Sequence, residues 1–271
     1  MTLVNLHIDS NRNSWANALT SSLPVSVQQV TDDAGDFVLV DGEADWPERL
    51  SAWMKQGNRH FLVIDPVIPR LEALDEAIAI GRETSSYIAI SETHADNPAV
   101  APFRDVLSTP YSTVTVTGMG TAGVADLILQ QLRLARRIGL GGYSIVHAFA
   151  AQDSAIATLD AVLNDTPALL RLTVTMSEAG HAHHRLMAQA PTESACLRVE
   201  GTDTARPAHA FRVTADAQFT LPTLYEHAHR AALRAIADTS VGLETRSDLA
   251  DWKEDAVLSL ALTREGSFTD L

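Results

Sequence analysis

The most conspicuous polar cluster in the sequence is His181, His183 and His184, with Glu178 just upstream. Neutral imidazoles at such spacing bind zinc or another divalent metal when a carboxylate joins them. On an extended strand, however, alternate side chains face opposite ways, so His181 and His183 share one side and His184 takes the other. At most two of them, His181 and His183, could then share a metal without help from elsewhere; a metal-assisted lyase or isomerase using the His181, His183 and His184 cluster is a third reading of the function. The plainer reading is a polar turn into a strand starting at His184, or histidines at an interface, and no resident metal is expected.

Other polar groups are sparser. His227 and His229 fall on a helix expected over 223–237, where a separation of two keeps them on different faces. Tyr225 and His229 stand at i and i+4, and such a pair can do acid–base work, although helix packing is the simpler role. Glu92 and His94 follow a strand expected over 87–91, at the carboxyl end of a parallel sheet, where ligands bind in open α/β folds. Cys196 is the single cysteine, so neither an internal disulfide nor a thiolate metal cluster can form. Its alternating surroundings, 194–199, read as a strand with a buried structural thiol. There is no GxSxG, Walker loop, HExxH or carboxylate-rich calcium loop.

The elements that must position these groups change character along the chain. In the first half, short apolar runs alternate with amphipathic stretches, which indicates βαβ units around a parallel sheet. Strands are expected over 3–8, 25–30, 36–41, 60–64 and 87–91. Helices are expected from 14 to 19, through Trp46, Leu50, Trp53 and Met54 to a stop at Gly57, over 71–84, and from 97 to about 107. Beyond Thr109 comes a strand over 112–117 and a long helix over 122–138. Extended β-branched runs follow at 143–150, 169–176, 184–190, 195–199 and 211–215, mostly without helices between them. Helices over 223–237 and 249–262 close the chain.

The expected fold is therefore α/β followed by α+β: a truncated Rossmann-like parallel sheet (1–109), then a mainly antiparallel, open-faced sheet with helices on one side (110–271). The final helices are expected to pack back on the first domain. An uncovered sheet face predicts a homodimer or a hetero-oligomer.

Charge narrows the partners. With 34 acidic and 20 basic residues the formal charge is −14, which repels a phosphate backbone, and no Lys/Arg-rich stripe offsets it; no nucleic-acid partner is expected. No stretch approaches the roughly 20 apolar residues of a membrane span, and the N-terminus has no basic leader before an apolar run. Together with the lone cysteine, this makes a cytosolic location the expectation.

Several segments resemble the Gfo/Idh/MocA family of NAD(P)-dependent sugar and polyol dehydrogenases. Asp36-Phe37-Val38-Leu39-Val40 looks like that family's DaVlVatP strand, and Gly57-Asn58-Arg59-His60-Phe61 like its aGKhV. Leu62-Val63-Ile64-Asp65-Pro66 stands where members carry vEKP, and Leu71-Glu72-Ala73-Leu74 continues in register. The stretch from Gly120 to Leu127 looks like the helix-start motif GxHxxDLL, with Asp126 in the acidic place. The closing helices match as well, so the likeness spans nearly the whole chain.

The departures bear on chemistry. The resemblance implies a GxGxxG turn after the first strand, whose glycines let a backbone approach the pyrophosphate. Here Asp9 leads into Ser10, Asn11, Arg12 and Asn13, without a glycine, and these residues read as a helix cap rather than a phosphate loop. The family lysine falls on Asp65, and the histidine of GxHxxD falls on Gly123. The segment between Val30 and Asp36 is too short for the further strand and helix that members carry. A pocket, if retained, is expected around Asp65, Glu92, His94 and Asp126. The leading expectation is a non-catalytic or repurposed relative that needs no cofactor and either pairs with an active dehydrogenase subunit or binds a small polar molecule. The alternative is an active NAD(P)-dependent oxidoreductase with an altered phosphate loop, using Ser10 and Arg12 on the cofactor.

Overall fold

The computed structural model describes residues 4–9, 27–30, 35–58, 60–107, 110–179, 181–201, 206–239, 248–264 and 268–269. The expected helix at 14–19 and the stretch Ser10, Asn11, Arg12 and Asn13 lie outside these residues. In chain order the elements begin with β1 (Val4–Asp9), β2 (Val27–Val30), β3 (Phe37–Asp41), α1 (Trp46–Lys55), β4 (His60–Ile64), α2 (Leu71–Glu83) and β5 (Tyr87–Ser91). They continue with α3 (Val100–Asp105), β6 (Thr113–Gly120), α4 (Val124–Arg137), β7 (Leu140–Ala150), β8 (Ser154–Leu163) and β9 (Thr166–Met176). The last are β10 (His183–Gln189), β11 (Glu193–Glu200), β12 (His209–Thr214), β13 (Gln218–Thr220), α5 (Ala228–Thr239), α6 (Leu249–Leu262) and β14 (Phe268–Thr269). By contact the chain forms two compact units, Met1–Glu92 with Ala228–Glu254, and Thr93–His227 with Asp255–Leu271.

The first unit holds a five-stranded parallel sheet in the order β2-β1-β3-β4-β5. Every residue of β3 is buried, as a parallel strand covered on both faces requires. Leu6, Phe37, Leu39, Leu62 and Ile64 form one face, closed by Leu233 and Ile236 of α5. Helix α1 starts with Pro47 in its first turn, and the chain leaves it through Gly57 at φ +103°. Trp46 packs edge to face on Trp252, with ring centroids 5.5 Å apart. The chain leaves β1 to one side for β2 and returns to the other for β3, so the topological switch point lies between β1 and β3. Because β2 ends at Val30 and β3 begins at Phe37, no further strand and helix fit between them.

The second unit is built on a nine-stranded sheet, β13-β12-β11-β10-β6-β9-β8-β7-β14. Only β6 and β9 run parallel, with Val116 opposite Leu172; the other neighbours are antiparallel. The apolar stripe of α4, including Leu127, Ile128 and Leu132, packs with Val114, Val116, Leu172 and Leu186 in one core. The opposite face carries Thr115, Thr117 and Arg185, and at its β7–β8 end Phe149 and Ile156, cross-strand partners that are 53% and 52% exposed. Buried Asp255 of α6 accepts hydrogen bonds from Arg133 (3.2 Å) and Arg136 (2.6 and 2.8 Å) of α4. Among the described residues no helix is long and apolar enough to cross a membrane.

Several elements differ from the expectation, among them the short strands β13 and β14, which the sequence analysis does not expect, and β7 and β9, which each begin three residues early. Strand β8 goes unread in the sequence because its inward positions include Ala155, Ala157 and Ala161, which have weak β preference although they alternate correctly. Helix α5 begins at Ala228 rather than 223: Leu224 and Tyr225 are exposed, so no apolar face holds that turn in a helix. Strand β6 runs on to Gly120, past the expected end at 117.

Candidate functional site

At the carboxyl end of β4 the backbone turns through Asp65 at φ +44°, a left-handed conformation uncommon outside glycine. Neighbouring strands hold it there. Asp65 N–H donates to Ser91 O at 2.9 Å, Gly42 N–H donates to Ile64 O at 2.8 Å, and Val67 N–H donates to Gly42 O at 2.9 Å. A Cβ at position 42 would lie 2.3 Å from Pro66 Cα and 2.5 Å from Asp65 O, so only glycine permits this approach. Asp65 Oδ2 lies 2.9 Å from His229 Nε2, and His229 Nδ1 lies 2.8 Å from Ser91 Oγ. The carboxylate can only accept, so Nε2 carries hydrogen; in a neutral ring Nδ1 then accepts from the serine hydroxyl. Ser91 and His229 are buried while Asp65 is exposed. The chain Ser91–His229–Asp65 therefore presents a carboxylate to solvent, and its hydroxyl is too deep to act as a nucleophile. Strain of this kind, on the order of 1–3 kcal/mol, persists where the surroundings over-determine it.

At the switch point, Asp9 ends β1. Trp53 Nε1 donates to Asp9 Oδ2 at 2.8 Å, and Arg49 Nη1 donates to Asp9 O at 3.2 Å and meets Oδ1 at 3.4 Å. The same guanidinium donates through Nη2 to Asp41 O, and its Nε lies 3.3 Å from Asp45 Oδ1. Arg49 thus spans the carboxyl ends of β1 and β3.

In the second unit His94 packs edge to face on His184, ring centroids 4.5 Å apart. His184 Nε2 donates to Gln130 Oε1 at 2.9 Å. Burial, and then the neighbouring His94 and His183, hold its pKa well below the ordinary histidine value. Asp126 lies in the first turn of α4, where a carboxylate complements the helix dipole. Gly123, the cap of that helix, has open surroundings: among the described residues a Cβ there would meet only Asp126 Oδ2, at 3.5 Å.

Of the expected pocket residues, Asp65 and Glu92 belong to the first unit and His94 and Asp126 to the second. The structure joins Asp65 to His229 and Ser91, and His94 to His184, partnerships across long sequence separations that no local spacing announces. A usable signal lay at Gly118, one residue past the expected strand over 112–117 and inside β6: a glycine within a strand marks close approach of another group. The proposed Tyr225–His229 helix pair does not form, because Tyr225 precedes α5 and is 73% exposed. His181 and His183 are otherwise engaged: His181 Nε2 accepts from Arg206 Nη2 at 2.9 Å, and His183 Nδ1 lies 3.1 Å from His181 O. Among the described residues no three His, Cys, Asp or Glu side chains converge on a point that could hold a metal ion.

A five-stranded parallel sheet followed by a large, mostly antiparallel sheet is a fold that this chain shares with several solved structures. The chain is similar to the UDP-N-acetylglucosamine 3-dehydrogenase GnnA of Acidithiobacillus ferrooxidans, at 13% identity over 97% of each chain with a TM-score of 0.71. It is also similar to KijD10, a 3-ketoreductase from Actinomadura kijaniata solved with NADP and TDP-benzene, at 14% identity, 97% of each chain and a TM-score of 0.70. An oxidoreductase from Sinorhizobium meliloti aligns at 10% identity over 97% of each chain with a TM-score of 0.74. No protein-family model and no curated protein sequence matches the chain.

Proposed function

We propose that this protein keeps the oxidoreductase fold as a scaffold, does not transfer hydride, and serves in the cytosol as a subunit that binds a small polar ligand. The observation that carries the reading is the Arg49 clamp between β1 and β3. A dinucleotide pyrophosphate at a switch point needs backbone N–H groups on a glycine turn and room to approach them. Here the end of β1 offers the Asp9 carboxylate, and the nearby Arg49 charge is already engaged by Asp9 and Asp45. Among the described residues, this carboxylate and the engaged arginine favour the reading without a dinucleotide. Asp65 stands where the family resemblance places the lysine and Gly123 where it places the histidine, so a carboxylate replaces the ammonium at the first position and no titratable side chain remains at the second.

The ligand would meet Asp65 at the carboxyl edge of the parallel sheet, where the carboxylate is exposed and oriented by His229. The apolar pair Phe149 and Ile156 on the open face favours assembly as a homodimer, or beside an active dehydrogenase subunit.

A working NAD(P)-dependent oxidoreductase is the second reading; in its favour, KijD10 carries NADP on a similar fold. Incubating the purified protein with NADPH or NADH and a panel of keto and hydroxy sugars decides between them. The proposal expects no change in cofactor absorbance. Sustained turnover, weakened by Arg12→Ala, would establish the second reading.

A further inference from the structure

His184 sits on β10 with no exposed surface, and its Nδ1 has no hydrogen-bond partner among the described residues. A Cβ at Gly118 of β6 would lie 2.1 Å from that Nδ1, and one at Gly201 would lie 2.6 Å from His94 Nε2. Two glycines therefore make room for two imidazoles packed against each other.

We propose that the His94–His184 contact is an acid-sensitive latch: protonation of His184 releases the 93–97 turn, with His94 on it, from the large sheet. Because Nε2–H already donates to Gln130, a second proton must enter at Nδ1, where nothing accepts it. Among the described residues, the groups facing the ring are neutral or of the wrong sign. Helix α4 presents the amides of Gln130 and Gln131, β6 presents Gly118, and β11 places Val199 opposite in the ladder. The titratable groups acting on the ring are His94 from the turn and His183 beside it on β10. A charge here is buried without compensation, and the structure must open to solvate it.

The turn is the part that yields. Strand β10 is held by full ladders to β6 and β11, and α4 is fixed through the buried Asp255 pairs. Contacts of the 93–97 turn include the Asp96–Arg137 ion pair at 2.8 Å, a long Asn97 N–H to His94 O bond at 3.4 Å, and the Ala99 and Val100 N–H groups on Asn97 at 3.1 and 2.8 Å, beside the ring contact. Since the proton affinity of folded His184 is depressed, the latch is intact above the ordinary histidine pKa of about 6.5 and weakens as pH falls below it. For one proton, the closed-to-open ratio drops about tenfold per pH unit.

Hydrogen exchange of the full-length protein from pH 7.5 to 5, corrected for intrinsic exchange, tests this. The expected result is opening at 93–97 that rises about tenfold per pH unit below about 6.5, while β4 stays protected. His184→Gln, which cannot take the proton, should remove the pH dependence. Equal protection of the wild-type turn at both ends of the range overturns the proposal without any variant. So does a pH dependence that persists in folded His184→Gln.

Discussion

Trp53 donates its indole N–H to Asp9 Oδ2 over 2.8 Å, so the carboxylate that ends β1 is fixed from the helix that follows β3. Arg49, one helical turn earlier, grips the same residue. Removing Arg49 strands Asp9 and two backbone carbonyls with fewer donors. Arg49→Ala is expected to lower unfolding free energy by about 1–3 kcal/mol, the range for hydrogen bonds to charged groups. It should not create affinity for NADPH, because Asp9, Asp41 and Asp45 remain. Urea melts and a cofactor titration of the variant check both halves.

The Asp65 turn separates strain from hydrogen bonding. Asp65→Asn keeps an acceptor for His229 and tolerates positive φ, so its stability should stay within about 1 kcal/mol of wild type. Asp65→Gly relieves the strain but leaves buried His229 Nε2–H without its carboxylate, at a cost of about 1–3 kcal/mol. Asp65→Ala loses the bond and keeps the strain. The predicted order of melting temperature is Asn, then Gly, then Ala; Ala above Gly would show that the turn is not strained.

Asp255 is buried between two arginines. Asp255→Ala leaves buried cationic charge without its carboxylate, and a loss of about 3–5 kcal/mol is expected in chemical denaturation. A loss below about 1 kcal/mol would mean the pairs are solvated.

The glycines make opposite predictions. Gly42→Ala would push a methyl against the Asp65–Pro66 backbone and should strongly destabilise the first unit or prevent its folding. Gly123→His enters open space at an exposed helix cap and should change the melting temperature little. That variant, combined with Asp65→Lys, rebuilds the residues the family resemblance implies.

Much of the scaffold was legible because period and punctuation agreed. Strands β4 and β5 match their expected bounds, since apolar runs end at Asp65 and Glu92, and α6 matches because its pattern has clear limits. The alanines of β8 hid a strand whose alternation is otherwise regular. The side-chain partnerships were not legible. Asp65 and His229 are 164 residues apart, and His94 and His184 meet only because β10 pairs with β6 beside the 93–97 turn. Nothing local in a sequence encodes such distances, although Gly42 and Gly118 carry their trace as positions where a side chain has no room.

The most direct test of the central claim is calorimetric titration of the purified protein with NADPH and NADH, paired with a melt at the same concentrations. At 100 times its dissociation constant a ligand adds about 2.7 kcal/mol of stability. The clamp predicts no heat and no shift at millimolar cofactor. A micromolar dissociation constant would contradict it, showing that a dinucleotide displaces Arg49 or bypasses it.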